Sequence, residues 1–341
     1  MKEMQRVIVS YPSFKGGGRL ANRVDSQIAL KPSVISSKRN KKSTMKQFKK
    51  SIPLYVLLLP SIVLLICFTY IPMYGIIISF KDYSPVLGMW GSPWVGFKHF
   101  IQFFNSYQFE LTIKNTLSIS IYSILVGFPL PIALAILCNQ MRAGMFKKVF
   151  QVTTYLPHFI STMVMCGMIL LFLSPSSGLM ANLLSLVGIE MPNVLAKPLF
   201  FSSIYVWSDV WQHVGWDSII YLAALSAINP TYYEAATMDG ATRMQKILHI
   251  DIPLLLPTAM ILLILRAGGI LSVGFEKVLL LQNPLNLTGS EVISTYVYKM
   301  GLQNFQYSLS TAIGLFNTVV NVIVLLFVNW LSKRMTKTSL L

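Results

Sequence analysis

Six runs of apolar residues, each close to or above the roughly 20 residues an α-helix needs to cross a bilayer, constrain this chain more than any other feature. They lie at Ile52 to Phe80, Thr116 to Leu137, Val149 to Leu173, Leu199 to Ile228, Leu254 to Leu281 and Leu309 to Leu331. A helix in lipid satisfies its own backbone hydrogen bonds. A membrane barrel would instead alternate apolar and polar residues, which these runs do not. The expectation is an all-α membrane protein with six transmembrane helices, and a composition of 54% hydrophobic and 12% charged residues agrees. The first and fourth runs are long enough to tilt, kink or extend beyond the hydrocarbon.

A formal charge of +16 would by itself suggest nucleic acid, but 13 of the 28 basic residues fall in the first 50 positions, Lys38, Arg39, Lys41 and Lys42 among them. A basic stretch ahead of a first span is a cytoplasmic retention signal and favours anionic lipid, so membrane lipid rather than nucleic acid is the expected partner. Against the span map, 21 basic residues lie on the side of the tail, the 139–148 loop, the 229–253 loop and the C-terminus. Six lie opposite, namely Lys81, Lys98, Lys114, Lys197, Lys277 and Lys299, and Arg266 alone lies deep in a span. The positive-inside rule then puts both termini in the cytoplasm, with Trp90 and Trp94 near the outer interface and Trp330 near the inner one. Residues 1–44 carry Gly16, Gly17, Gly18 and scattered serines without an apolar stripe, so little fixed structure is expected there, and Met45 is an alternative natural start. No small-residue cleavage site follows the first run, which reads as a retained span. Cys67, Cys138 and Cys166 lack metal-ligand spacing and are read as packing residues. The chain divides into a basic tail (1–50), a first span with an external segment (51–110), a core of five spans (111–333) and a short cytoplasmic end (334–341).

The stretch from Asn229 to Thr258 is too polar for lipid and too patterned for a plain connection. Asn229 is a good N-cap and Pro230 suits the first helical position, so a short helix should run through Glu234, Ala235 and Ala236 and end at Gly240. A second short helix should follow from Ala241 and be broken by Asp251 to Pro253. A compact helical hairpin held by spans at both ends suits docking into a cytoplasmic partner; an amphipathic loop lying on the lipid surface is the plainer alternative.

The ordered string Glu234, Ala235, Ala236, Asp239, Gly240, Ala241, Ile250, Pro253 and Pro257 resembles the EAA loop of type I ABC importer permeases. The resemblance extends from about Met45 to the C-terminus. Trp94, Val95, Gly96, Phe97 and Phe100 are similar to the external segment of sugar permeases, Asn115, Thr116 and Leu117 to the start of their core, and Tyr155, Leu156, Pro157, Ile160 and Ser161 to their third span. The segments 274–284, 295–302 and 310–317 resemble the LplB branch, whose members import oligosaccharides and polysaccharide fragments. The resemblance implies a type I ABC importer permease fold in a bacterial cytoplasmic membrane, with residues 229–257 forming a coupling helix seated in an ATPase. Glu234 would be a polar contact to that ATPase and Gly240 the turn. It further implies a second similar permease subunit, two ATPase subunits carrying ATP and Mg, and an extracytoplasmic sugar-binding protein.

An ionised side chain at the centre of a span costs on the order of 2.5 to 3.5 kcal/mol, so Asp209, His213 and Asp217, four residues apart on one helical face, should point inward, with Gln212 and Trp216 beside them. They read either as the lining of a wet path for sugar hydroxyls or as a tie in which Asp209 or Asp217 pairs with Arg266. The two aspartates disfavour a uronate cargo by repulsion, an effect Arg266 would reverse. One helix offers too few ligands for a metal site, with no thiolate nearby. His158 after Pro157 should mark a kink, and His99 and His249 should be solvated. No nucleophile–base set and no G-x-x-x-x-G-K-[ST] loop is present, so the chain is expected to be a transport subunit rather than an enzyme, binding no cofactor itself. A different cargo such as a polyamine or phosphate, an ATP-independent carrier and a membrane-embedded enzyme remain the alternatives.

Overall fold

In a computed structural model the described residues are 41–336, with side chains described from 51 to 334; the expectations for the tail before residue 41 and for residues 337–341 lie outside them. The principal helices are α1 (Lys41–Leu65), α2 (Lys98–Phe104), α3 (Tyr107–Gly127), α4 (Pro129–Gln140), α5 (Met145–Tyr155), α6 (Thr162–Phe172), α7 (Pro198–Ser226), α8 (Pro230–Met238), α9 (Arg243–Lys246), α10 (Ile252–Ala267), α11 (Phe275–Leu281), α12 (Ile293–Tyr298) and α13 (Tyr307–Thr336). Among the described residues there is no strand, only an isolated bridge between Lys81 and Trp94. The chain forms two compact units that meet at Ile66 and Cys67; α1 belongs to the first and all the other helices to the second. Helix α1 begins at Lys41, a few residues ahead of the expected end of the unstructured tail.

Four helical stretches are long and apolar enough to cross a membrane: Ser51–Phe80, Tyr107–Gln140, Arg243–Ala267 and Tyr307–Arg334. The third expected span is broken, because Met145–Phe159 and Thr162–Phe172 meet at 97°. Pro157 lacks the N–H that would continue the helix, and Ser161 caps α6 by accepting from the Val164 N–H, so a kink beside His158 is what the sequence asked for. The fifth expected span, Leu254 to Leu281, is two elements: α10 stops at Ala267, Gly268 and Gly269 turn the chain, and α11 starts at Phe275. Helix α7 is 29 residues long, but its Asp, Gln and His residues lower its hydropathy, and it is not among the apolar stretches.

Helix α7 packs against α3, α4, α5 and α10, and α13 packs against α2, α10 and α12. Ala135, Tyr221, Leu225, Leu255 and Ala259 form the apolar core between α4, α7 and α10, while Ile119, Cys166, Val206 and Val278 join α3, α6, α7 and α11. Cys138 and Cys166 are buried packing residues as expected; Cys67 is exposed. On α3, Asn115 Nδ2 donates to the carbonyls of Thr288 and Glu291 and Thr116 Oγ1 accepts from the Ile293 N–H, so the two side chains satisfy backbone groups at the helix ends around Glu291 and the start of α12. His99 departs from expectation. It is buried, at 7% exposure, because α2 folds back beside the start of α13 instead of lying in solvent; His249 is exposed as expected.

Gly215 fixes how closely α7 meets α5, since a Cβ there would sit 2.0 Å from the Thr154 carbonyl oxygen. Gly215→Val should destabilise the fold by about 3 kcal/mol, the upper range for overpacking. The check is the thermal midpoint of the detergent-purified protein; a midpoint equal to wild type would show that the two helices separate freely.

Candidate functional site

The Asp209, His213 and Asp217 stripe forms as the four-residue spacing requires. His213 Nδ1 lies 3.3 Å from Asp209 Oδ1, and all three side chains are half-buried. Each carboxylate meets a cation from another helix. Arg266 Nη2 at the end of α10 donates to Asp217 Oδ2 at 2.6 Å, and Lys277 Nζ on α11 lies 3.4 Å from Asp209 Oδ1. Lys277 was expected among the cations of the outer side. It is instead 5% exposed, with its ammonium 4.8 Å from the centre of the Tyr205 ring, because the turn after α10 swings α11 back against the bundle.

Two cavities flank these pairs and Arg266 lines both. One of about 230 Å³ is lined by Ser120, Ser123, Tyr205, Asp209 and Ser272 as well as Arg266. The other, of about 290 Å³, is lined by Gly127, Asp217, Tyr221 and Arg266 among apolar neighbours. A Cβ at Gly127 would come within 3.1 Å of Arg266 Nη1, so the glycine lets the guanidinium lie against α3. Gln212 and Trp216 are placed differently from the carboxylates. Gln212 is buried and its Nε2 donates to the Ile160 carbonyl at 2.7 Å, tying α7 to the bend after α5. Trp216 stacks on His158, with ring centres 4.4 Å apart and planes 3° apart. The tie raised by the sequence is present on this face, since ion pairs join the helices, and the same charges border the cavities.

At the other candidate site, α8 starts as the sequence predicts. Asn229 accepts from the Thr231 N–H and Pro230 fills the first turn. The helix closes with Gly240 at φ +73°, its N–H bonded to the Thr237 carbonyl and the Ala241 N–H to the Ala236 carbonyl, a Schellman turn. Glu234, Ala235, Asp239 and Gly240 are exposed and Ala241 is half-buried. The second short helix is not broken at Asp251 to Pro253. Thr242 and Gln245 form a capping box, and Arg243–Ala267 runs on as one helix through a π-turn at Ile247–Asp251. The wider turn absorbs the hydrogen bond that Pro253 cannot donate, with the Ile252 N–H reaching back to the Ile247 carbonyl.

Asp251, which the sequence reads only as a helix breaker, is a buried polar junction. It is fully buried and accepts from Gln140 Nε2 on α4 and from the Tyr233 hydroxyl on α8. Burial, with the Asp251 carboxylate as acceptor, pushes the Tyr233 phenol above its ordinary range, so it stays a donor. The only sequence signal was an acid standing directly before Ile252 and Pro253.

Long apolar helices around charge-lined cavities, with a capped helical loop at one end, define a membrane-embedded transport subunit. The chain belongs to the family described as binding-protein-dependent transport system inner membrane component, whose model matches residues 127–337. It is similar to the polygalacturonan/rhamnogalacturonan transport system permease protein YteP of Bacillus subtilis, 39% identical over 310 residues that cover 91% of this chain and 97% of that protein. It is also similar to LplB of the same organism, 38% identical over 298 residues covering 87% and 94% of the two chains. Among solved structures it is similar to a chain in the crystal structure of a bacterial ABC transporter involved in the import of the acidic polysaccharide alginate, 44% identical with a TM-score of 0.80, covering 86% of this chain and 99% of that one. The same likeness holds for the alginate transporter in complex with an alginate pentasaccharide-bound periplasmic protein. The resemblance stated from the loop string and the late segments is borne out.

Reversing either partner of the Asp217–Arg266 pair should lower the thermal midpoint of the purified protein, and the swapped variant Asp217→Arg with Arg266→Asp should recover about 2 kcal/mol of coupling. A swap no more stable than the sum of its single reversals would mean that the contact ties nothing together.

Proposed function

We propose that the chain is the transmembrane subunit of an ATP-driven, binding-protein-dependent importer and forms part of the path for oligosaccharides or polysaccharide fragments. The observation that carries this reading is 39% identity to a polygalacturonan/rhamnogalacturonan permease over 97% of that protein's length. The partners are a second similar permease, two ATPase subunits that hold ATP and Mg, and an extracytoplasmic binding protein. The alginate transporter solved with its loaded periplasmic protein supports the last of these. The six spans are the four apolar stretches, the bent pair of α5 and α6, and α7, whose 29 residues reach about 43 Å at 1.5 Å per residue. Both termini and the 229–257 loop face the cytoplasm, on the strength of the basic residues there.

In this reading α8 is the coupling helix. Glu234, Ala235, Ala236, Asp239, Gly240 and Ala241 sit in the ATPase groove, Pro253 opens the span behind them, and Asp251 passes their displacement to α4 and α10 through Tyr233 and Gln140. Asp209, His213, Asp217, Arg266 and Lys277 border the path, with Trp216 beside it. Each carboxylate has its own cation, which offsets the repulsion expected towards a uronate and agrees with the acidic polysaccharides named for two of the relatives. The chain performs no chemistry of its own.

In the reconstituted complex, Glu234→Arg and Gly240→Leu should each cut ATP-driven saccharide uptake at least tenfold while the protein still assembles. The leucine also carries the cost of a left-handed backbone, about 1 kcal/mol. Wild-type uptake in both variants, or uptake by wild type without the ATPase, would end this account.

A further inference from the structure

At the end of the bundle away from α8 lies a larger pocket that the path does not use. The Tyr107–Gln140 helix is 34 residues long, about 50 Å, and its far end meets Asp251. Its near end adjoins α2 and the start of α13, and there a pocket of about 620 Å³ opens between the 82–102 segment and residues 305–309. That volume falls in the range of roughly 300–1,000 Å³ typical of small-molecule sites.

The chemistry of its walls is specific. His99 lines it and is 7% exposed, yet neither ring nitrogen has a hydrogen-bonding partner among the described residues. A buried imidazole left so is costly unless something else meets it. The Tyr83 and Tyr307 rings meet edge to face at 5.8 Å, held by the Tyr83 N–H donating to Ser308 Oγ. The rim residue Phe305 has φ +57°, a strained value for a bulky side chain, and it is 70% exposed. Gln102 and Gln306 add two amides, each both donor and acceptor. Lys98 donates to Asp82 at 3.0 Å and holds that carboxyl below the usual range, so Asp82 remains an acceptor.

We propose that this pocket is an entry site for one or two pyranose units of the saccharide cargo, bound before they reach the cavities at Asp209 and Asp217. Sugar C–H faces pack on the two tyrosines, hydroxyls bond to Asp82, Gln102 and Gln306, and Lys98 meets a carboxylate when the unit is a uronate. This rests on the transport reading above.

Binding is read on the assembled permease–ATPase complex in nanodiscs without ATP, and uptake on the same complex in proteoliposomes with ATP, with labelled tri-galacturonate, tri-mannuronate and maltotriose as probes. For the trisaccharide that wild type binds and takes up, Gln102→Ala with Gln306→Ala should weaken binding at least tenfold and raise the half-saturating concentration for uptake by a similar factor. Affinity for the unloaded binding protein should stay within twofold. If the double variant unfolds, Gln306→Glu serves, changing charge without volume, with the same tenfold loss expected for an acidic probe. Trisaccharide binding unchanged within twofold overturns the proposal, and so does loss of binding-protein docking with sugar binding intact, which would make the pocket a protein contact. Wild type that takes up none of the probes sinks the transport reading together with the pocket, whereas wild-type uptake with indifferent variants sinks the pocket alone.

Discussion

The cost of holding an ion away from water organises this bundle. Helix α7 carries two aspartates in its length, and each is admitted because another helix brings a cation to it: Arg266 from α10 to Asp217, and Lys277 from α11 to Asp209. Removing one partner of such a pair leaves an uncompensated charge, so the pairs fix which helices can be neighbours even where their net stabilisation is small. The rest follows from that placement. The turn after Ala267 is needed to bring Lys277 back, and Arg266 at that turn is left bordering both cavities. The same charges that tie the helices together border the cavities.

A second polar node works at the other end on a different principle. Among the described residues Asp251 meets no cation; two donors, Gln140 and Tyr233, satisfy it. A buried carboxylate of this kind needs both donors in place, so Asp251 joins α8 to α4 and α10 through hydrogen bonds. The Schellman turn at Gly240 and the capping box at Thr242 leave the hairpin little freedom of its own. The π-turn at Ile247–Asp251 joins it to the span without a break. A stiff loop braced by one buried acceptor is suited to carry a displacement.

Much of this was legible in the residues. Four apolar runs appear as long helices, the kink at Pro157 and His158 is where a missing N–H puts it, and Asn229, Pro230 and Gly240 bound α8 as their backbone preferences dictate. The misreadings share a cause. Lys277 looked like an outer-side cation, His99 like a solvated loop residue and Asp251 like a helix breaker, because one-dimensional pattern assigns each residue to its own segment. What each does depends on a side chain roughly 70 residues distant for Lys277 (Asp209) and over 100 distant for Asp251 (Gln140).

The sequence by itself therefore determined the solvent of this protein, the helical class and the start and stop of the loop helix, since hydrophobic run length, proline and glycine act through the local backbone. The family too was written in an ordered string of residues. Only the tertiary structure decided which cation answers which carboxylate, that Gln212 ties off the bend at Ile160 rather than facing a cavity, and that Tyr83, His99 and Tyr307 line one pocket. Those facts belong to distances between helices, and no local preference encodes them.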